Sequence, residues 1–221
     1  MHSFELIIFD CDGVLVDSER IANQVFARIL KKECGLSYSL ADMFETFVGR
    51  SSLQCMEIIE QQMGTAPPAG LETRYKQDIN DVLAASVTAV QGIEQTLAEI
   101  SIPYCVASSG SHDKMRLTLG KTQLLKYFEG KLHSSSDVKR GKPFPDIYLH
   151  AAHNMGCNDP GRCLVIEDSP PGIEGGVAAG MVVFGFAELM DEQRLIQAGA
   201  HHTFKDMRRL TDEISNYTHK Q

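Results

Sequence analysis

Two aspartates separated by one residue, Asp10 and Asp12, open the part of this sequence that could do chemistry. They stand in the run Asp10-Cys11-Asp12-Gly13-Val14-Leu15-Val16-Asp17-Ser18. Three later segments carry complementary groups: Ser108-Ser109-Gly110-Ser111, Gly141-Lys142-Pro143 and Glu167-Asp168-Ser169-Pro170-Pro171-Gly172. Carboxylates are hard oxygen ligands of the kind that hold Mg²⁺, and hydroxyls and an ammonium are donors for phosphoryl oxygens. Taken singly, each has an ordinary explanation. An aspartate after a strand is usually a turn or cap residue, which is the local role read for Asp17 and Ser18. A lysine such as Lys142 is usually a solvated surface group. Ser109 and Ser111 either start the next helix or face the site. The combination outweighs these separate readings.

The elements that must position these groups can be read from periodicity. Phe4-Glu5-Leu6-Ile7-Ile8-Phe9 is a short, nearly continuous apolar run that stops at Asp10, as a buried parallel strand does. Further strands are predicted at Pro103 to Ala107, near Lys131 to His133, at Cys163 to Ile166 and at Val182 to Phe186. Helical stripes lie between them: Ile93, Leu97 and Ile100, then Ile147, Leu149, Ala151, Ala152 and Met155, the latter opened by Pro145 and stopped by Gly156. Strand and helix in alternation predict an α/β fold, a doubly wound parallel sheet. In such a sheet ligands bind beyond the carboxyl ends of the strands, which is where the four segments fall.

Between residues 17 and 87 the strand signal disappears. Ile21, Val25, Phe26, Ile29 and Leu30 form one helical stripe. Leu40, Met43, Phe44 and Phe47, then Leu53, Met56, Ile59 and Met63, then Leu71, Tyr75, Ile79, Val82 and Leu83 form three more. Gly35, Gly49 and Gly64 separate them, with Ser39 and Ser51 or Ser52 available as N-caps. The predicted organisation is an α/β core of residues 1–16 and 88–221, interrupted by a four-helix domain at 17–87.

The block from Asp10 to Ser18, the strand-end Ser108, the Gly141-Lys142-Pro143 run with Pro145 and Asp146, and the strand-end Glu167-Asp168-Ser169 together resemble the haloacid dehalogenase superfamily. The similarity covers essentially the whole chain and is closest to the phosphatase and β-phosphoglucomutase branch, which carries a helical cap after its first motif. The resemblance implies a role for each matching residue. Asp10 would attack phosphorus and form an aspartyl-phosphate. Asp12 would protonate the leaving oxygen and then deprotonate water, its carbonyl also binding metal. Ser108 would hydrogen-bond a phosphoryl oxygen, with Ser109 and Ser111 as further substrate contacts. Lys142 would pair with nucleophile and phosphate. Asp10 and Asp168 would hold Mg²⁺, with Glu167 ligating directly or through water.

The same resemblance leaves rivals. Phosphoglucomutase-like members carry a histidine in the first cap helix, and Ala22 stands at the matching position, which argues for hydrolysis over phosphoryl migration. A hexose-phosphate mutase and a non-catalytic phosphometabolite sensor remain as alternatives. A dehalogenase needs neither Asp12 nor the Glu167-Asp168 pair. A phosphonate hydrolase would want a cap lysine, for which Lys76 is not diagnostic. Phe47-Val48-Gly49-Arg50-Ser51 resembles the family's substrate loop. Arg50 either forks onto a carboxylate or second phosphate of the substrate or is a surface arginine after a glycine turn.

Composition excludes other classes. With 43% hydrophobic and 23% charged residues the chain reads as an ordinary soluble globular protein. The net charge of −8 and the lack of a basic run argue against nucleic acid. No apolar run is long enough to span a membrane. The start, Met1-His2-Ser3-Phe4-Glu5, has no basic region ahead of its apolar run, so a signal peptide is not read and a cytoplasmic location is the expectation. The partner expected is a small-molecule phosphate ester, and no apolar stripe predicts more than a monomer. None of the six cysteines forms a C-x-x-C pair, and they read as reduced thiols. Cys11 should face away from Asp10 and Asp12. His133, His150, His153, His201 and His202 read as structural, the His201-His202 pair as exposed.

Overall fold

The computed structural model describes residues 4–48, 50 and 52–219, the Asn80 side chain excepted. Its first strand, β1 (Leu6–Phe9), is buried along its whole length. A strand covered on both faces needs no polar alternation, so four apolar residues in a row suffice. The chain then enters a helical segment. Helix α1 (Ser18–Ile29) continues through a π-helical turn, Leu30–Cys34, and ends at Gly35, whose φ of 69° a side chain would oppose. Ser39 caps α2 (Leu40–Phe47) in a reciprocal capping box with Asp42. Helices α3 (Ser52–Met63) and α4 (Leu71–Ser86) follow. Ser52 is the first residue of α3, while Gly49 and Ser51 lie outside the described residues. Val25, Phe26, Ile29, Leu30, Met43, Phe47, Ile59 and Leu71 form the buried centre of this segment.

The sheet then resumes with α5 (Ile93–Glu99), β2 (Tyr104–Ser108), α6 (His112–Lys121), β3 (Leu132–Ser134), α7 (Asp146–Asn154), β4 (Cys163–Glu167), α8 (Pro170–Ala178), β5 (Val182–Phe186), α9 (Glu192–Gln197), β6 (His202–Phe204) and α10 (Leu210–His219). These six strands pair with one another in parallel, in the order β3-β2-β1-β4-β5-β6. The chain divides into two compact units, Met1–Asp17 with Thr88–Gln221, and Ser18–Val87. The two crossings between the units form a short ribbon: Asp17 N donates to Thr88 O at 2.9 Å, Val90 N donates to Leu15 O at 3.0 Å, and Val16 pairs antiparallel with Ala89. Among the described residues no helix is long and apolar enough to cross a membrane.

Three details correct the sequence reading. There is a sixth strand, β6, where periodicity predicts none. His202 lies in it, half-buried and paired with Glu213 at 2.9 Å, so only His201 of that pair is exposed. Ser108 and Glu167 are the last residues of β2 and β4 rather than the first residues beyond them.

Helix α8 approaches the sheet through Gly176, where an added Cβ would lie 2.7 Å from Val183 Cγ2 and 3.5 Å from Val165 Cβ. Gly120 on α6 has open space at the same atom. The same substitution should therefore act in opposite directions. Gly176→Ala should destabilise by about 1–3 kcal/mol through overpacking, whereas Gly120→Ala should stabilise by about 0.5 kcal/mol through helix propensity. Urea denaturation midpoints check both.

Candidate active site

Strand β1 leads by way of β2 to one side of the sheet, and β4 continues from β1 to the other. The carboxyl end of β1 is thus where the winding reverses, and a crevice opens there in folds of this topology. Asp10 is the first residue past β1, and its N–H donates to Ile166 O at 3.0 Å, fixing it against β4. The chain then turns tightly, with Leu15 N and Val16 N both donating to Cys11 O, at 3.0 and 3.1 Å. Gly13 sits in this turn with φ 79°, and a Cβ there would lie 1.9 Å from Asp168 Oδ2. Both the conformation and the close approach require glycine. Cys11 is buried, and burial pushes its thiol pKa well up, so it is no rival nucleophile.

Lys142 arrives from the segment between β3 and α7. Its Nζ donates to Asp10 Oδ1 and to Glu167 Oε1, each at 2.5 Å, with a side chain only 5% exposed. Burial alone would depress its pKa, but the Asp10 and Glu167 carboxylates hold it well above the ordinary lysine value. Burial also pushes the Asp10 carboxyl up to about 7, with Lys142 opposing and the Glu167 and Asp12 charges adding to the rise. Glu167 is fully buried. Its Oε1 accepts from Tyr148 OH at 2.9 Å, and its Oε2 accepts from the N–H groups of Asp168 and Ser169 at 3.1 Å and from Ser169 Oγ at 2.9 Å. A Cβ on Gly172 would lie 2.0–2.2 Å from this carboxylate. Tyr148 has no place in the sequence reading, because nothing in a helical stripe reveals where a phenol oxygen will point.

Ser108 is buried at the end of β2, and its Oγ accepts from Gly110 N at 3.0 Å. The turn after it is fastened to the end of β3. Ser134 Oγ donates to Gly110 O at 2.7 Å, Ser135 Oγ donates to Ser109 O at 2.8 Å, and His112 meets Asp137 at 2.9 Å. Ser109 and Ser111 are exposed, and Ser111 Oγ accepts from Lys114 N as the N-cap of α6. Lys114, absent from the sequence reading, donates from Nζ to Asp12 Oδ2 at 2.7 Å.

The group can be tested for metal. Asp10, Glu167 and Asp168 offer oxygens that all lie within 4.8 Å of one another. Four carboxylates, counting Asp12, stand against the ammonium groups of Lys142 and Lys114, which leaves two formal negative charges. Oxygen donors with that excess fit Mg²⁺, which binds through one or two carboxylates and keeps several waters. Asp12 belongs to the same turn, and its carbonyl is the further oxygen implied by the resemblance.

Arg50 belongs to the helical unit and is exposed. Its Nε donates to Thr46 O at 2.6 Å. It lines a cavity of about 270 Å³ within that unit, shared with Glu19, Asn23, Phe26, Glu72 and Tyr75. Ala22 lines the same cavity.

The family profile described as haloacid dehalogenase-like hydrolase matches residues 4–180. The 6-phosphogluconate phosphatase of Escherichia coli (strain K12) is 34% identical over 187 residues, 84% of each chain. A haloacid dehalogenase-like protein of Agrobacterium tumefaciens str. C58 superposes with a TM-score of 0.93 at 36% identity, over 98% of this chain and 100% of that one. A HAD family hydrolase of Deinococcus radiodurans R1, solved with bound phosphate and sodium, has a TM-score of 0.85 at 29% identity, covering 97% and 98% of the two chains.

The fully buried Glu167 makes Tyr148 the hydroxyl on which stability should depend. Tyr148→Phe removes a donor and leaves a buried acceptor short of a partner, which should destabilise by about 1–3 kcal/mol. Chemical denaturation measures this, and an unchanged midpoint would show that the phenol oxygen is dispensable.

Proposed function

The chain belongs to the haloacid dehalogenase-like hydrolases and is a phosphoric monoester hydrolase, and we propose that it removes phosphate from a small phosphorylated sugar, sugar acid or polyol through an aspartyl-phosphate on Asp10. The observation that carries this reading is the meeting of Asp10, Lys142, Glu167 and Asp168 at the carboxyl edge of the sheet. The reading includes Mg²⁺ as cofactor and a cytoplasmic monomer that acts on a small soluble ester.

In this mechanism one oxygen of Asp10 attacks phosphorus as the bond to the leaving oxygen breaks. Asp12 gives its proton to that oxygen, so the alcohol departs neutral. The Asp12 carboxylate then takes a proton from water as the water oxygen attacks phosphorus, which frees phosphate and restores Asp10. Lys142 keeps the nucleophile in place and offsets repulsion between its carboxylate and the incoming phosphoryl oxygens. Ser108 is assigned to a phosphoryl oxygen, with Ser109 and Ser111 on the same turn as further contacts. When Mg²⁺ is held by Asp10 and Asp168, with Glu167 and the Asp12 carbonyl beside them, it supplies charge neutralisation for the phosphoryl group.

The helical unit is read as the cap that selects the substrate. Arg50 is its candidate for an anionic group remote from the phosphate. The named activity of the 34% identical relative, 6-phosphogluconate hydrolysis, supports a phosphorylated sugar acid. Position 22 is alanine, where mutase-like members carry a histidine that helps deliver the second aspartate as acid and base, which weighs against phosphoryl migration as the reaction.

Phosphate release from a panel of sugar, sugar-acid and polyol phosphates should require Mg²⁺, stop in excess EDTA, and fall by roughly 10⁴-fold in Asp10→Asn. A folded, metal-loaded protein that releases phosphate from none of these esters would refute the reading. Arg50→Ala should raise KM about tenfold for carboxylated or bisphosphorylated substrates while leaving neutral ones within about twofold. Equal effects on both sets would remove Arg50 from the site.

A further inference from the structure

Lys114 is the charged group near the reacting residues that no motif explains. It is the third residue of α6, in the first turn of that helix. The amino end of a helix carries partial positive charge, so a cation there is locally unfavourable and acidic residues are the usual occupants. A residue that goes against the local rule needs a partner from elsewhere, and such departures gather at functional sites. The partner is Asp12, 102 positions away in sequence, whose Oδ2 accepts from Lys114 Nζ at 2.7 Å.

The surroundings direct the lysine to that carboxylate. Ser111 Oγ accepts from Lys114 N, which fixes the start of the helix. Thr118 Oγ donates to Lys114 O at 3.0 Å. Gly110 leaves a corridor for the aliphatic stem: a Cβ there would lie 3.3 Å from Lys114 Cδ, 3.3 Å from Ser108 Oγ and 3.7 Å from Asp12 Oδ2. The turn is in turn anchored to the end of β3 through Ser134 and Ser135. The ion pair lies entirely within the α/β unit.

We infer that Lys114 is a positioning residue for the acid–base aspartate: it holds one oxygen of Asp12 so that the other is set to exchange a proton with the leaving group and then with water. The inference rests on the proposed phosphatase mechanism. A carboxylate turns freely about its last two side-chain bonds, and proton transfer requires it within about 2.6–3.2 Å of the reacting oxygen. Clamping one oxygen to a rigid helix removes that freedom before substrate arrives. The two lysines thus divide the work. Lys142 serves the nucleophile and Glu167, and Lys114 serves Asp12.

The test separates proton delivery from phosphate binding by the leaving group. An alkyl phosphate such as glycerol phosphate needs a proton on the departing oxygen, whereas p-nitrophenolate leaves without one. The ratio kcat/KM reports steps up to phosphoryl transfer to Asp10, which is the step concerned. Lys114→Met should lower kcat/KM by about 10- to 100-fold for the alkyl ester and by less than about threefold for p-nitrophenyl phosphate. Lys114→Arg should recover most of the loss. Adding Lys114→Met to Asp12→Asn should cost nothing further with the alkyl ester. Equal losses on both esters would overturn the inference and make Lys114 a phosphate-binding or structural residue. A crystal structure of Lys114→Met with the Asp12 carboxylate unmoved would overturn it without reference to turnover. Failure of the phosphatase reading shows differently, as a wild-type protein inactive on both esters.

Discussion

Lys142 Nζ lies between Asp10 Oδ1 and Glu167 Oε1 in the interior of the protein, and much of the site's construction follows from that ion triplet. Charges taken out of water are tolerated only when paired and further hydrogen-bonded, and removal of one partner leaves an uncompensated buried charge. Each member is therefore braced. Asp10 is tied to β4 through its own N–H, Lys142 lies 5.3 Å from the Tyr148 ring centroid, and Glu167 accepts from Tyr148, Asp168 and Ser169. The demands extend into the packing. Helix α8 must begin with its first turn close enough to Glu167 that only glycine fits at position 172. One side chain thereby constrains the end of β1, the end of β4, the start of α8 and the face of α7.

The triplet also bears on how the proposed cation would be held. One ammonium is shared between Asp10 and Glu167, Lys114 pairs with Asp12, and Asp168 adds to the negative side. Burial and the neighbouring anions raise Asp10 to about 7. A divalent ion held by these oxygens, as proposed, would invert the local electrostatics. The acidity of the whole chain, at −8, is thus compatible with an anionic substrate.

Much of this was legible in sequence, for identifiable reasons. An apolar run stopped by Asp10 can be seen because a buried parallel strand leaves an unbroken signal and the sheet's carboxyl edge is where polar residues resume. The four segments of the site were visible for the same reason. Strand β6 was not, since His202-Thr203-Phe204 shows no apolar run and is held by register with β5 rather than by composition. The Lys114–Asp12 and Tyr148–Glu167 contacts were invisible because each joins residues distant in the chain through the far end of a long side chain. The misplaced lysine in a helix's first turn was a clue to the former, though one that names no partner. For Tyr148 no comparable signal exists. Gly172 could be read as a helix-start glycine, but the carboxylate that excludes a methyl group there comes from the preceding strand.

The ribbon formed by residues 15–17 and 88–90 has a different kind of consequence. Asp17 and Thr88 are hydrogen-bonded neighbours, so the helical segment leaves the sheet and returns to it at adjacent points. Seventy residues, Ser18–Val87, thus hang on a junction that a short loop could close. Topologically the segment is a cassette. A segment of another length joined at the same two points would leave the backbone bonds around Asp10 and Asp12 as they are.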